Sequence, residues 1–247
     1  MSQPQRVLIL GGSGGLGRAL AAQLRASNSH VFLAARDAQR LEAAAHELGG
    51  APSATCDATD AEQVDALFER AAEELGGLTG VVNAVGSILL KPAHLTSPAD
   101  FRETLAQNLD SAFNVVRSGA KRFSKTGGSI ALVSSCAAQV GLSNHEAIAA
   151  AKAGVEGLTR SAAATYAPRG VRVNAVAPGL VDTPMAGRLL ASDASRKASE
   201  ALHPLGRVGR PEEVASALAW LLDPAQAWVT GQILGVDGGL ARVRPRS

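Results

Sequence analysis

The feature of this sequence that most constrains its fold is a regular alternation of short apolar runs with longer, alanine-rich segments. The apolar runs include RVLIL, HVFLAA, GVVNAVG, GSIALVSS, VRVNAVAP and GQILGVDGG. Segments with helical periodicity separate them, such as GRALAAQLRA, EQVDALFERAAEEL and FRETLAQNLDSAFNVVRSGAKRF, the last predicted as one helix from Phe101 to Phe123. Strands that are apolar at almost every position are expected where helices cover both faces of a parallel sheet. We therefore predict an α/β fold with a doubly wound parallel sheet of about seven strands.

The alternation continues through the chain without a linker, a repeat or a low-complexity tract, so we predict a single domain over residues 1–247. The least regular stretch, residues 178–213, lies between a predicted strand and the next clear helix. Long irregular segments in compact domains are usually binding loops or lids. We expect a substrate loop over residues 184–210.

Charge and cysteine content exclude several classes of function. The 24 Lys and Arg against 22 Asp and Glu leave a formal net charge of +2, which gives no reason to invoke nucleic acid or a membrane surface. Cys56 and Cys136 have neither metal-ligand spacing nor a disulfide framework, which favours a reducing compartment and no metal. No apolar run approaches the roughly 20 residues of a membrane span, and the N-terminal run is too short for a signal peptide. We expect a cytoplasmic protein.

The segment GGSGGLGRAL directly follows the first predicted strand, and a helix is predicted to begin within it. Glycines here permit positive φ angles and let the backbone approach a diphosphate, while the first amides of the helix attract its charge. The alternative is a plain strand-to-helix turn, but the position after the first buried strand favours a Rossmann-like dinucleotide site. The predicted phosphate contacts are Gly11, Ser13, Gly14, Gly15, Leu16 and Gly17.

The end of the second predicted strand indicates which dinucleotide binds. An acidic residue there would bind a ribose 2′-hydroxyl, whereas this chain reads Ala34, Ala35, Arg36. A guanidinium suits a 2′-phosphate, so NADP(H) is favoured over NAD(H). A surface arginine paired with Asp37 is the alternative.

With these motifs the chain resembles, end to end, the short-chain dehydrogenase/reductase family, particularly members similar to 3-oxoacyl-(acyl carrier protein) reductases. The resemblance implies a small-molecule carbonyl or alcohol substrate and a homo-oligomer, either a dimer or a tetramer. It also implies further cofactor contacts in the segments CDATD, NAVG and APGLVDTPM, and at the lysine of AAAKAG: Asp57, Ala58, Asn83, Ala84, Val85, Pro178, Gly179, Val181, Thr183 and Lys152. The catalytic residues that it implies are Ser135, which orients the substrate, Asn108, which helps hold a water molecule, and Lys152.

The chain departs from the family pattern at one catalytic position. The family carries a tyrosine four residues before the lysine, on the same helical face, and this tyrosine gives a proton to the oxygen formed by hydride transfer. Here that position is Ile148. The single tyrosine, Tyr166, lies fourteen residues beyond Lys152, roughly 21 Å along a helix, and cannot take its place.

Other groups could supply the proton. His145, three residues before Ile148, has suitable acid–base chemistry, and Glu146 is the next candidate. Both also fit an ordinary helix start with Asn144 or Ser143 as the N-cap. Three functions remain open: an atypical NADP(H)-dependent oxidoreductase using His145 or ordered water, a catalytically silent NADP(H)-binding partner or regulator, and a lyase or isomerase with His145 as base. The first is favoured, because Ser135, Asn108 and Lys152 are all present.

Overall fold

The computed structural model describes residues 4–244, which contain one parallel sheet of seven strands. The strands are β1 (Arg6–Leu10), β2 (His30–Ala35), β3 (Ser53–Thr55), β4 (Gly80–Asn83), β5 (Gly128–Val133), β6 (Val171–Pro178) and β7 (Ile233–Val236). Their order in the sheet is β3-β2-β1-β4-β5-β6-β7, and each neighbouring pair is parallel. The predicted doubly wound sheet is therefore confirmed.

Helices cover both faces of this sheet. They are α1 (Gly15–Ala26), α2 (Ala38–Glu47), α3 (Ala61–Leu75), α4 (Pro98–Leu105), α5 (Ser111–Phe123), α6 (Glu146–Tyr166), α7 (Asp193–Leu202) and α8 (Pro211–Leu222). Residues of α3, α5 and α6 pack on one face, and residues of α1, α2 and α8 pack on the other. Strand β1 shows why its sequence is continuously apolar: Leu8 and Leu10 point into the first layer, while Val7 and Ile9 point into the second.

The strand order determines where along the sheet a ligand-binding crevice can open. Strand β1 pairs with β2 on one side and with β4 on the other, so the chain reverses its direction of winding between β1 and β4. The loops that leave the carboxyl ends of these two strands diverge to opposite faces of the sheet. A crevice opens between such loops, and ligands of open α/β sheets bind there.

Three local predictions differ from the structure. The segment from Phe101 to Phe123 was predicted as one helix, but residues 106–110 form a π-helical turn between α4 and α5. The predicted loop 184–210 contains a helix, α7, whose N-terminus is closed by a capping box between Ser192 and Ser195. The N-cap of α6 is His145 rather than Asn144 or Ser143, because Asn144 adopts a left-handed conformation with φ of 64° one residue earlier.

Candidate active site

The glycine-rich turn after β1 is held closely against its neighbours. Gly11 has a φ of 80°, and a Cβ atom there would lie 2.7 Å from the carbonyl carbon of Ala84. A Cβ on Gly17 would overlap the carbonyl oxygen of Gly11, and one on Gly15 would lie 2.9 Å from Thr183 Cγ2. Gly14 is the N-cap of α1 and provides no side-chain cap, so the first amides of the helix remain available to an anion.

One cleft runs from this turn along the carboxyl edge of the sheet. Its two adjoining cavities have volumes of about 190 and 380 Å³. The smaller lies beside Arg36 at the end of β2, and the larger lies beside Ser135 and Lys152. The predicted cofactor contacts that line one or both are Gly11, Ser13, Gly14, Gly15, Leu16, Gly17, Arg36, Ala58, Ala84, Val85, Lys152, Pro178, Gly179, Val181 and Thr183.

Two predicted cofactor contacts do not line the cleft and instead shape its walls. Asp57 Oδ1 accepts hydrogen bonds from the amide and the hydroxyl of Thr59, which fixes the turn before α3. Asn83 donates through Nδ2 to Ser111 Oγ at 3.1 Å, and its Oδ1 accepts from the amide of Val85. The Asn83 side chain is 3% exposed, so its structural contribution is to hold the loop after β4 in place.

Arg36 is exposed and lines the smaller cavity, immediately after β2. Among residues 4–244 it forms neither an ion pair nor a side-chain hydrogen bond. Asp37, its proposed partner, instead caps α2 by accepting the amide of Arg40. Sequence reasoning missed Arg40, which lines both cavities. Its position in the first turn of α2, four residues after Arg36, was the available signal, because this helix start must face the same edge of the sheet.

Lys152 reaches the larger cavity from α6. Its Nζ donates a hydrogen bond of 2.8 Å to the carbonyl of Val133 at the end of β5. The side chain is buried, and removal of the ammonium from water lowers the pKa of Lys152 to about 8. Burial in this cleft therefore brings a lysine into the pH range of acid–base catalysis.

Ser135 and Asn108 line the same cavity. Ser135 lies two residues after the end of β5. Its Oγ accepts the amide of Ala137 at 3.2 Å, which leaves the hydroxyl proton free to donate. Asn108 donates from Nδ2 to Thr104 O and to Ser87 Oγ, and its Oδ1 accepts the amide of Ser87. The π-helical turn thus connects α4 to the loop after β4. Ser87 is another residue of the cavity that sequence reasoning did not identify.

Ile148 forms an apolar part of the cavity wall one helical turn before Lys152. Its side chain is 5% exposed. Within the part of the chain that the structure describes, no residue lining this cavity carries a phenol. Tyr166 is the last residue of α6 and packs against the core on one face of the sheet.

The structure does not bring His145 or Glu146 into the cavity. His145 Nδ1 lies 2.8 Å from the carbonyl of Ser143, to which it donates, and the residue does not line the cleft. Glu146 Oε1 accepts the amide of Ala93 at 3.4 Å. Both side chains close the start of α6 against neighbouring loops.

The described part of the chain contains neither a candidate metal-binding cluster nor a helix that could span a membrane. Residues 4–244 contain no group of three or more His, Cys, Asp or Glu side chains that could hold a metal ion. None of the helices between these limits is long and apolar enough to cross a bilayer.

Comparison with known proteins agrees with this arrangement. The profile of a family described as enoyl-(acyl carrier protein) reductase matches residues 11–241. The cis-4-hydroxycyclohexanecarboxylate dehydrogenase of Sinomonas cyclohexanicum is 44% identical over 189 residues, which cover 76% of this chain and 75% of that protein. The 3β-hydroxysteroid dehydrogenase 1 of Eggerthella lenta is 37% identical over 241 residues, covering 95% and 92%.

Solved structures show the same architecture. A short-chain type dehydrogenase/reductase from Mycobacterium ulcerans superposes with a TM-score of 0.91 at 30% identity, covering 98% of this chain and 91% of that one. A variant of the actinorhodin polyketide ketoreductase with NADPH gives a TM-score of 0.90 at 28% identity, covering 98% and 100%. The family match spans nearly the whole chain and includes both ends of the cleft. The chain therefore belongs to the short-chain dehydrogenase/reductase family of oxidoreductases.

Proposed function

We propose that the protein is an NADP(H)-dependent oxidoreductase that interconverts an alcohol and its carbonyl compound without a tyrosine at the reacting centre. The observation that carries this proposal is the continuity of the cleft. It extends from Arg36 past the glycine-rich turn to Ser135 and Lys152, so one extended dinucleotide can span both ends. The uncapped start of α1 and the glycine cradle fit its diphosphate.

The preference for NADP(H) is inferred from two guanidinium groups at the adenosine end. Arg36 and Arg40 both line the cavity there, and Asp37 is already occupied as the cap of α2. Arginine binds phosphate oxygens through several N–H donors, and no acidic side chain in that wall other than Asp37 is placed to accept a ribose hydroxyl in the described chain. The likeness to the ketoreductase with NADPH agrees with this preference.

The reacting end of the cleft, the larger cavity, orients the substrate and gives it an apolar wall. A bound nicotinamide cofactor would supply or accept the hydride. The Ser135 hydroxyl donates to the substrate oxygen and orients it, while Asn108 holds the loop of Ser87 at the rim. Ile148 excludes water from the side on which the family places its phenol.

We infer that the substrate is a cyclic secondary alcohol or the corresponding ketone. The names of the Sinomonas and Eggerthella relatives both denote alcohols on carbon rings. The cavity wall near Ser135 offers mainly hydrocarbon to such a ring, from Ile88, Val133, Ile148, Leu180 and Met185. Met185 and Ala186 belong to residues 184–210, which we propose as the substrate-facing loop.

The test combines a cofactor comparison with a panel of substrates. We expect oxidation of NADPH, at a higher kcat/KM than NADH, with cyclohexanone derivatives and 3-ketosteroids. Arg36→Asp should reverse or abolish that preference, because it replaces the phosphate-binding group with a hydroxyl-binding carboxylate. Arg102→Ala, an exposed arginine of α4 outside the cleft, is the matched control. Unchanged NADPH preference in Arg36→Asp would contradict the cofactor assignment.

The same assay distinguishes this oxidoreductase from a protein that binds NADP(H) without catalysing a reaction. Ile148 favours the alternative of a catalytically silent NADP(H)-binding partner, because hydrocarbon cannot donate a proton. Tight NADPH binding without turnover across the panel would support that alternative, and conversion of substrate without NADPH oxidation would support a lyase or isomerase. Homo-oligomerisation and a cytoplasmic location stay predictions, and light scattering after size-exclusion chromatography measures the first.

A further inference from the structure

The larger cavity contains very few groups that can exchange a proton. Among the described residues that line it, only Lys152 and Arg40 are ionisable. Arg40 extends from α2 and also lines the adenosine end, and a guanidinium does not release its proton near neutral pH. His145 and Glu146 lie outside the cavity, bonded to Ser143 and Ala93. Lys152 is thus the single acid–base group beside Ile148 in this wall.

We propose that Lys152 itself donates the proton to the substrate oxygen during reduction and accepts it during alcohol oxidation. This inference rests on the proposed function. In reduction, the hydride adds to the carbonyl carbon, and the electron pair of the broken C=O π bond moves to oxygen. An N–H bond of the Lys152 ammonium breaks as the new O–H bond forms. The neutral amine then regains a proton from solvent, so ketone, NADPH and one proton give alcohol and NADP⁺.

The position of Nζ permits this step. One N–H of the ammonium donates to Val133 O at 2.8 Å, and an ammonium has three donors. The hydrogen bonds of residues 4–244 occupy only that one, which anchors Nζ and leaves two for ligands. A Cβ on Gly86 would lie 3.5 Å from Nζ and 2.8 Å from Asn108 Oδ1. The absence of a side chain at Gly86 therefore opens the space between Lys152 and Asn108 to the cleft.

The surroundings of Lys152 also suit a proton donor. Burial alone lowers the pKa of its ammonium to about 8, which brings the group close to the working pH. Glu156, one turn further along α6, accepts hydrogen bonds from Ser134 and Gln139. Burial raises the pKa of the neighbouring Cys136 thiol to about 11, so that thiol stays uncharged.

Charged groups on the other elements packed against α6 do not line the cavity. Asp100 on α4 pairs with Lys91, and Arg172 on β6 donates to carbonyl oxygens that include Leu221 O. Asp110, at the end of the π-helical turn, does not line the cavity. Among residues 4–244, no phenol lines the larger cavity to take over the proton. The ammonium of Lys152 is thus neither locked in an ion pair nor coupled to a better acid.

The first test is the pH dependence of the unmodified protein with NADPH and a slowly reduced cyclic ketone, so that the chemical step limits the rate. The kcat for reduction should fall tenfold per pH unit above a pKa near 8, because the protonated amine is the active form. The kcat for alcohol oxidation should rise with pH up to the same region. If the protein turns over but shows neither the fall in reduction nor the rise in oxidation with pH, the proposal is overturned while the proposed function stays intact.

The second test separates proton donation from cofactor binding. Lys152→Arg keeps a cation at the predicted cofactor contact but cannot release its proton, so NADPH affinity should change by less than about threefold while kcat falls about 10²–10⁴-fold. Lys152→Ala should regain turnover when methylamine or ethylamine is added. Tetramethylammonium chloride at the same concentration is the salt control, because this cation has no N–H to donate. Wild-type kcat in Lys152→Arg, or no amine rescue in a Lys152→Ala protein that still binds NADPH, would refute the role. A native protein that binds NADPH but reduces nothing would refute the proposed function and this inference together.

Discussion

At the scale of single residues, the proposed chemistry of the cleft depends on the pair Ile148 and Lys152. The sequence predicted that both would share one face of a helix, and the structure places both in the wall of the larger cavity. The role of His145 could not be read in the same way. Its three-residue offset from Ile148 suits a shared face only inside a helix, whereas His145 is the N-cap and the backbone turns away at Asn144. A pattern based on spacing fails where helical geometry stops.

A tyrosine at position 148 should restore the usual proton donor. Ile148→Tyr is expected to raise kcat for ketone reduction by about 10²-fold, because a phenol one turn from the Lys152 ammonium is a positioned general acid. Ile148→Phe is the matched control, since it adds the same ring without the hydroxyl. The rate at which NADPH absorbance is lost, at saturating cofactor, measures kcat for both variants. Equal rates in the two variants would show that the added ring, and not its hydroxyl, determines the effect.

At the scale of elements, the sequence located strands more accurately than the irregular connections. Runs such as RVLIL are apolar on both faces and could hardly lie anywhere except inside a covered sheet. The π-helical turn at 106–110 was missed because each flanking helix keeps its own α-helical periodicity and no glycine or proline marks the extra residue. Helix α7 was missed because its residues are mostly polar and none of them is buried. Its boundaries follow from a capping box, which is a weak signal within a polar stretch.

The π-helical turn should matter for activity beyond its effect on stability. Asn108 is 1% exposed and makes three hydrogen bonds with Thr104 and Ser87, so Asn108→Ala leaves buried polar groups unpaired at a cost of about 1–3 kcal/mol. Asn114→Ala is a matched control, because this buried asparagine of α5 donates to Ala58 O and Thr59 O. Urea unfolding should show similar losses in the two variants. Only Asn108→Ala should also lower kcat, and equal kcat values would assign Asn108 a purely structural role.

Helix α7 is connected to the cleft through one buried side chain. His203 Nε2 accepts the amide of Leu180 at 3.1 Å, and its Nδ1 donates to Ser199 O at 2.8 Å. This histidine therefore joins the end of α7 to the segment that follows β6. His203→Ala should raise the substrate KM more than the NADPH KM, because Leu180 lines the larger cavity, where we propose that the substrate binds. His30→Ala, at an exposed histidine of β2, provides the control. An equal change in the two KM values would show that α7 has no specific effect on substrate binding.

At the scale of the whole molecule, the two apolar layers and the cleft depend on the same strand order. The reversal between β1 and β4 creates the crevice, and the layers on either side hold its walls rigid. The sequence was sufficient to predict this plan, since buried parallel strands and a glycine-rich turn leave few other topologies. It could not predict which side chains turn into the cleft. Asp57 and Asn83 follow the expected pattern yet do not line the cleft. Asp57 accepts hydrogen bonds from Thr59, and Asn83 donates to Ser111 at the start of α5.

Cofactor binding should therefore stabilise the entire fold, whether or not the protein turns over. A ligand that binds only the native state at 100 times its Kd adds about 2.7 kcal/mol, which for a domain of this size raises Tm by about 5–10 °C. We expect this shift with NADPH and a smaller one with NADH at the same concentration, since only NADPH offers a 2′-phosphate to Arg36 and Arg40. Differential scanning fluorimetry measures it directly. Arg36→Asp should remove the difference between the two cofactors while Arg102→Ala retains it, and equal shifts with both cofactors in the unmodified protein would contradict the assigned phosphate site.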